Sequence, residues 1–191
     1  MFEQLLDGYF NTFYREHPAD ATHVGLSSGE GRLNPATLTA LRKQQTRRRT
    51  ALVKLDSIAP SALSNEQNLD RLAFRARLLR ECEEFDRGRH ELDPTGIDEV
   101  LGFLLKELQR GEDKPKRAAR NIRGLLRDTP RYLGQGARLV KRPERVWRGI
   151  MADSFKASGV FFDAVAGFLQ ANGRQRSDSS LLAAANRACQ R

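Results

Sequence analysis

Histidine, cysteine and carboxylate side chains could bind a metal or move a proton, and this chain places few of them at useful spacing. Its histidines are His17, His23 and His90. A helical zinc site of the His-Glu-x-x-His kind needs two imidazoles one turn apart with a glutamate between them; that spacing does not occur. His17 and His23 flank Pro18 and read as polar tips at a surface corner. His90 reads as a cap near the C-terminal end of a helix, where positive charge offsets the dipole. The carboxylate pairs Glu83-Glu84 and Asp98-Glu99 point apart, because adjacent helical residues do not share a face. Asp98 and Glu99 also fall in a first helical turn, where negative charge is favoured. Cys82 and Cys189 form neither a disulfide framework nor a zinc knuckle. There is no Gly-x-Ser-x-Gly and no Cys-His pair, and Gly124, Gly134 and Gly136 follow no strand that would make a nucleotide loop. No residue is assigned a catalytic or metal-binding role on these grounds.

Charge is more informative. The net charge is +9, and between Lys114 and Arg148 twelve Lys or Arg stand against two acids, Asp128 and Glu144. Lys116, Arg120, Arg123, Arg127 and Arg131 recur at three- and four-residue intervals opposite an apolar helix face. Such a face could hold an acidic protein or nucleic acid through salt-sensitive contacts. The ordinary reading is the solvated side of a helix packed inward. Aromatic residues are not interleaved with the stripe and no helix-turn-helix or zinc finger is present, so specific nucleic-acid recognition is unsupported.

The elements that would position these residues are helical throughout: an all-α, irregular bundle of about seven to eight helices, with no run of period-two alternation. Pro18, Pro35, Pro60, Pro94, Pro115, Pro130 and Pro143 all fall where a helix should start or stop. Phe2, Leu5, Leu6, Tyr9, Phe10 and Phe13 form the stripe of a first helix. Asn34 is the expected N-cap of a second, running to about Asp56 with Leu38, Leu41, Leu52 and Leu55 inward. Ser64 and Gln67 have capping-box spacing. They open a third helix whose inward face would be Leu69, Leu72, Ala76, Leu79 and Cys82. A short helix over about 97–109 follows. Pro115 starts the next, Pro130 another, and Pro143 a long one carrying Trp147, Ile150, Met151, Phe161, Phe162, Val165, Phe168 and Leu169. Asn172-Gly173 closes that helix, 174–180 is expected to be mobile, and Leu181 begins a last helix without a stop signal. The chain therefore reads as cut within an element, with a short terminal helix docked on the bundle as the alternative, and in either case as one helical region spanning 1–191.

No segment approaches the ~20 unbroken apolar residues of a membrane span, so no membrane partner is expected. Glu3 and Asp7, without a basic leader, do not read as a signal peptide. Two widely separated cysteines suit a reducing cytoplasm.

Three passages carry a family resemblance. The corner Arg15-Glu-His-Pro-Ala-Asp-Ala-Thr-His-Val-Gly25 joins an apolar helix to a proline, Ala21-Thr22 and Gly25. Leu55-Asp-Ser-Ile58 precedes Ser61-Ala-Leu63-Ser64. Between Pro115 and Ile150 come an arginine-bearing helix, then Pro130 with Tyr132-Leu133, then Pro143 with Val146. Together these resemble the N-terminal portion of the bacterial DUF885 family. Proteins of that kind look like longer helical zinc metallopeptidases, hydrolases whose His-Glu motif and second histidine lie in the C-terminal half. The resemblance implies a non-catalytic helical scaffold walling a substrate channel, with no cofactor in this chain and zinc only in a missing C-terminal half. Its partners would be that half or a peptide substrate. The competing reading is a stand-alone binding module acting through the basic face of Lys116–Arg131.

Overall fold

The computed structural model describes residues 1–94 and 96–190, apart from the side chain of Ala157. The fold is all-α, with no strand among the described residues. Its helices are α1 (Phe2–Glu16), α2 (Pro18–His23), α3 (Leu38–Asp56), α4 (Asn65–Asp86), α5 (Gly96–Arg110), α6 (Pro115–Ala137), α7 (Arg145–Ala171) and α8 (Asp178–Cys189).

The apolar stripes of these helices gather into two cores. The first joins α1, α3 and α4 through Phe2, Tyr9, Ala51, Leu55, Phe74 and Leu78, with Ile58 from the turn after α3. The second joins α5, α6, α7 and α8 through Val100, Leu104, Ile122, Leu126, Phe162, Val165, Leu169 and Ala185. Each large apolar side chain fully buried in this way contributes about 1.5–3 kcal/mol. The α3–α4 hairpin is laced by ion pairs in antiparallel register: Arg75 with Asp56 at 2.7 Å, Arg48 with Glu81 at 2.9 Å and Arg49 with Asp86 at 2.9 Å. Two of the three consecutive arginines Arg47–Arg49 are engaged in these pairs.

Residues 24–37 run as a strap from α2 to α3 and lie against α6. The Leu33 amide donates to Asp128 at 2.8 Å and the Ala36 amide to Gln135 at 3.1 Å, while the Leu33 side chain is buried in the second core. The crossing is tight enough to require glycine on both sides. Gly31 has φ +71°, and a Cβ on Gly124 would stand 2.4 Å from the Gly31 carbonyl oxygen.

Several expectations are met. Ser64 and Gln67 form the reciprocal capping box, and Gly173 adopts φ +93° after α7. Others are corrected. Pro130 lies inside α6, which continues to Ala137. The proline removes one backbone donor, but Leu125, Leu126 and Tyr132 on either side of it pack into one core and hold the two halves in line. The N-cap of α3 is Thr37, whose hydroxyl accepts from the Ala40 amide at 3.2 Å. Asn34 instead accepts from the Ala19 amide at 3.0 Å, capping α2 from a distance. The α4 face is largely reversed: Phe74, Leu78 and Cys82 are buried, while Leu69, Leu72 and Leu79 are exposed. Residues 174–180 are anchored rather than loose, because Asp178 is buried and begins α8.

Candidate ligand cleft

Between the two cores lies a cleft of about 870 Å³. Leu41 of α3, Phe85 of α4, Ile97 of α5, Leu133 of α6, and Met151 and Phe155 of α7 give it apolar walls. A small number of polar groups face the same space: His17, Arg48, Glu81, His90, Glu99 and Tyr132. A concave, mainly apolar site with a few oriented polar groups is the usual form of a small-ligand site.

His17 is 5% exposed and is not the surface tip that its corner position suggests. Its ring stacks on Phe13 at 4.1 Å between centroids. Nδ1 donates to the Phe13 carbonyl at 2.7 Å, which leaves Nε2 to accept from the side-chain amide of Gln44. The imidazole is thereby fixed in one tautomer, with both nitrogens engaged. His90 is not a helix cap, since α4 ends at Asp86 and His90 sits in a short 3-10 turn, Arg89–Glu91. It stacks on Phe85 at 5.0 Å, and its buried Nδ1 has no hydrogen-bond partner among the described residues. His23 lies at the far end of α2 from His17, exposed, with Nδ1 2.7 Å from Lys106 Nζ.

Glu81 accepts from Arg48 at 2.9 Å and from Arg77 at 2.8 Å, so this carboxylate is doubly compensated. The Arg77 guanidinium also lies over Phe13, 5.6 Å from the ring centroid. Glu99 differs, for it accepts a hydrogen bond from the Tyr132 hydroxyl and, among the described residues, no cation forms an ion pair with it. Burial holds the Glu99 carboxyl above its usual range, opposed by the tyrosine hydrogen bond and reinforced by Asp20 and Asp93. The residue retains exposed surface at the cleft mouth, so solvent moderates that push. Tyr132, itself buried, is driven well above the ordinary phenol value, first by burial and then by the Glu99 charge. The arrangement can hold a proton between a carboxyl and a phenol beside an apolar wall.

The stripe of basic residues on α6 is divided. Lys116, Arg120, Arg127 and Arg131 are exposed, with Arg120 3.7 Å from Glu30. Arg131 is held by Asp128 at 2.5 Å and donates to the Leu33 carbonyl at 3.3 Å. Arg123 is no part of an open face. It is buried, with Nε 2.7 Å from Asp178 Oδ1, Nη2 3.1 Å from Oδ2, and Nη2 2.6 Å from the Gly173 carbonyl. The sequence reading missed Glu99, Tyr132, His17 and His90 as a group, and no local spacing links them. Among the described residues, no three His, Cys, Asp or Glu side chains gather where they could hold a metal ion.

Compared with known proteins, the chain matches no family profile and no curated sequence. It is similar in structure to a protein of unknown function from Shewanella oneidensis, described as a lipoprotein, with a TM-score of 0.85 at 14% identity. The match covers 100% of this chain and 36% of that one, so the chain spans little more than a third of the neighbour's length. At this identity the likeness establishes the fold alone. No described helix is long and apolar enough to cross a membrane.

Proposed function

We propose that this chain is a non-catalytic helical scaffold of a DUF885-like protein and forms one wall of a substrate channel. The observation that carries the reading is the cleft between the two cores, with its apolar walls and its polar groups at Glu99, Tyr132 and His90. Beside it, α7 leaves Ile150 and Phe155 exposed, and Val146 and Val160 lie open on the same helix. Apolar residues left open beside a cleft suit a surface completed by further polypeptide. A much longer neighbour whose fold includes this whole chain supports the same idea. Zinc finds no ligand set among the described residues, so no step is derived through a metal; in this reading the metal belongs to other polypeptide. Cytoplasmic residence is part of the proposal and is favoured by two free, buried thiols, Cys82 and Cys189.

The test is peptide binding by the purified chain without turnover. Short apolar peptides should bind in the cleft, read by isothermal titration calorimetry, and Met151→Arg or Phe155→Arg should weaken that binding. Stoichiometric divalent metal with amide hydrolysis by the chain alone would overturn the scaffold reading, and binding indifferent to both substitutions would overturn the channel. The alternative, an anion-binding face at Lys116, Arg120, Arg127 and Arg131, loses Arg123 to internal partners. It predicts affinity for polyanions that falls steeply with salt.

A further inference from the structure

The outer face of α4 carries an apolar seam that nothing in the fold covers. Leu69, Leu72 and Leu79 are 68%, 53% and 42% exposed, and Ala73 and Ala76 are exposed among them. Leu69, Leu72, Ala76 and Leu79 are separated by three, four and three residues, the alternation that a helix presents to another helix in a coiled-coil seam. Val53 of α3, 71% exposed, lies one turn before Asp56, which pairs with Arg75 of α4, and widens the apolar surface.

We propose that this face pairs with the same face of a second copy, α4 against α4, in antiparallel register about a twofold axis. Helical geometry makes the match specific. With the axis level with position 74, Leu69 meets the second copy's Leu79 and Leu72 meets its Ala76, each contact occurring twice. The small Ala73 side chains flank the axis and let the helices approach closely. Along the flank next to the seam, the residues one turn-pair either side of Ala73 are Glu66 and Arg80. Both are exposed, and neither has a partner among the described residues. Antiparallel pairing sets each Glu66 against the other copy's Arg80, so two free charges of opposite sign are satisfied by one symmetry operation. Parallel pairing would set Glu66 against Glu66 and Arg80 against Arg80.

The charge distribution permits self-approach here. The helix Asn65–Asp86 contains four arginines and six acids, whereas the chain's excess of positive charge sits between residues 114 and 148. Copies meeting through α4 keep those basic segments off the contact, where repulsion would oppose association.

Sedimentation velocity over a concentration series up to the submillimolar range tests this, with circular dichroism as a check that each variant is folded. Wild-type chain should show a reversible monomer–dimer equilibrium, and Leu72→Glu should be monomeric. Glu66→Arg and Arg80→Glu should each weaken the dimer by roughly 5- to 30-fold, as expected for two symmetric exposed pairs. The double reversal, Glu66→Arg with Arg80→Glu, should restore it. That rescue is specific to the antiparallel register and does not depend on the fate of Leu72→Glu. A chain that stays monomeric throughout assigns the face to another occupant and overturns the proposal. So does a dimer that survives Leu72→Glu, or one for which the double reversal fails to rescue.

Discussion

Replacing Arg123 by alanine should be among the most damaging single changes in the molecule, and its size follows from what the guanidinium holds. Arg123 ties α6 to α8 by two bonds to Asp178 and one to the Gly173 carbonyl, with side-chain exposures of 10% and 6% for the two charged partners. Asp178 additionally accepts from the Gln175 amide at 2.8 Å. Removing one member of a buried pair leaves the other charge uncompensated, which costs about 3–5 kcal/mol. In a chain of this size each kcal/mol lowers Tm by about 2–4 °C, so the expected drop is roughly 6–20 °C. Urea unfolding followed by circular dichroism at 222 nm would give the free energy directly. The Arg123→Ala/Asp178→Ala pair should lose less than the sum of the single losses, with coupling of about 0.5–3 kcal/mol. Hydrogen bonding to Arg123 also holds the Asp178 carboxyl below its ordinary 3.8. The pair therefore contributes fully above that value and is lost as pH falls through the lower folded value, a dependence absent from Asp178→Asn. A loss within about 0.5 kcal/mol for Arg123→Ala, the range of ordinary surface changes, would refute the buried tether and return Arg123 to the open face.

Other outcomes follow from separate parts of the structure. Gly124→Ala should destabilise by about 1–3 kcal/mol, because a Cβ there meets the Gly31 backbone, although the same change in an open helix stabilises by about 1 kcal/mol; a raised Tm would show that the strap does not touch α6. Phe162→Ala should cost about 3–5 kcal/mol in urea, since Phe162 is 4% exposed in the second core, while Phe10, only partly buried beside the first core, should cost less; equal losses would contradict this ranking. Glu99→Gln should remove a pH dependence. With the folded carboxyl held above 4.5 mainly by burial, stability rises as pH falls from neutrality through the folded value, and levels off once the unfolded chain is protonated too. The Gln variant should lack that rise in a Tm-versus-pH series, and an unchanged profile would remove Glu99 as its source.

What was legible in the chain depended on how much of each decision was local. The helices were readable because prolines, the Ser64–Gln67 box and Asn172-Gly173 act within a turn or two of themselves. The inward face of α4 was not, because the helix carries two apolar stripes. The Leu69–Leu79 stripe is the longer by composition, yet α1 and α3 pack on the Phe74–Leu78 side, and periodicity cannot choose between them. Pro130 was read as a start because its penalty is local, whereas its tolerance depends on packing by Leu125, Leu126 and Tyr132. Arg123 has the same spacing as its exposed neighbours, and only Asp178, 55 residues away, sets it apart. The cleft escaped for the same reason, since His17, His90, Glu99 and Tyr132 come from four separate stretches of sequence.

The strap has a consequence for how the molecule can be taken apart. By lodging Leu33 in the core of α5–α8 and fastening backbone amides to side chains 95 and 99 residues away, it makes the N-terminal quarter a component of the C-terminal assembly. Removal of residues 1–37 would therefore leave a leucine-sized hole among Ile122, Leu125 and their neighbours. The α1–α4 half and the α5–α8 half should melt as one cooperative unit, and protease cuts near residue 57 should leave the two pieces associated.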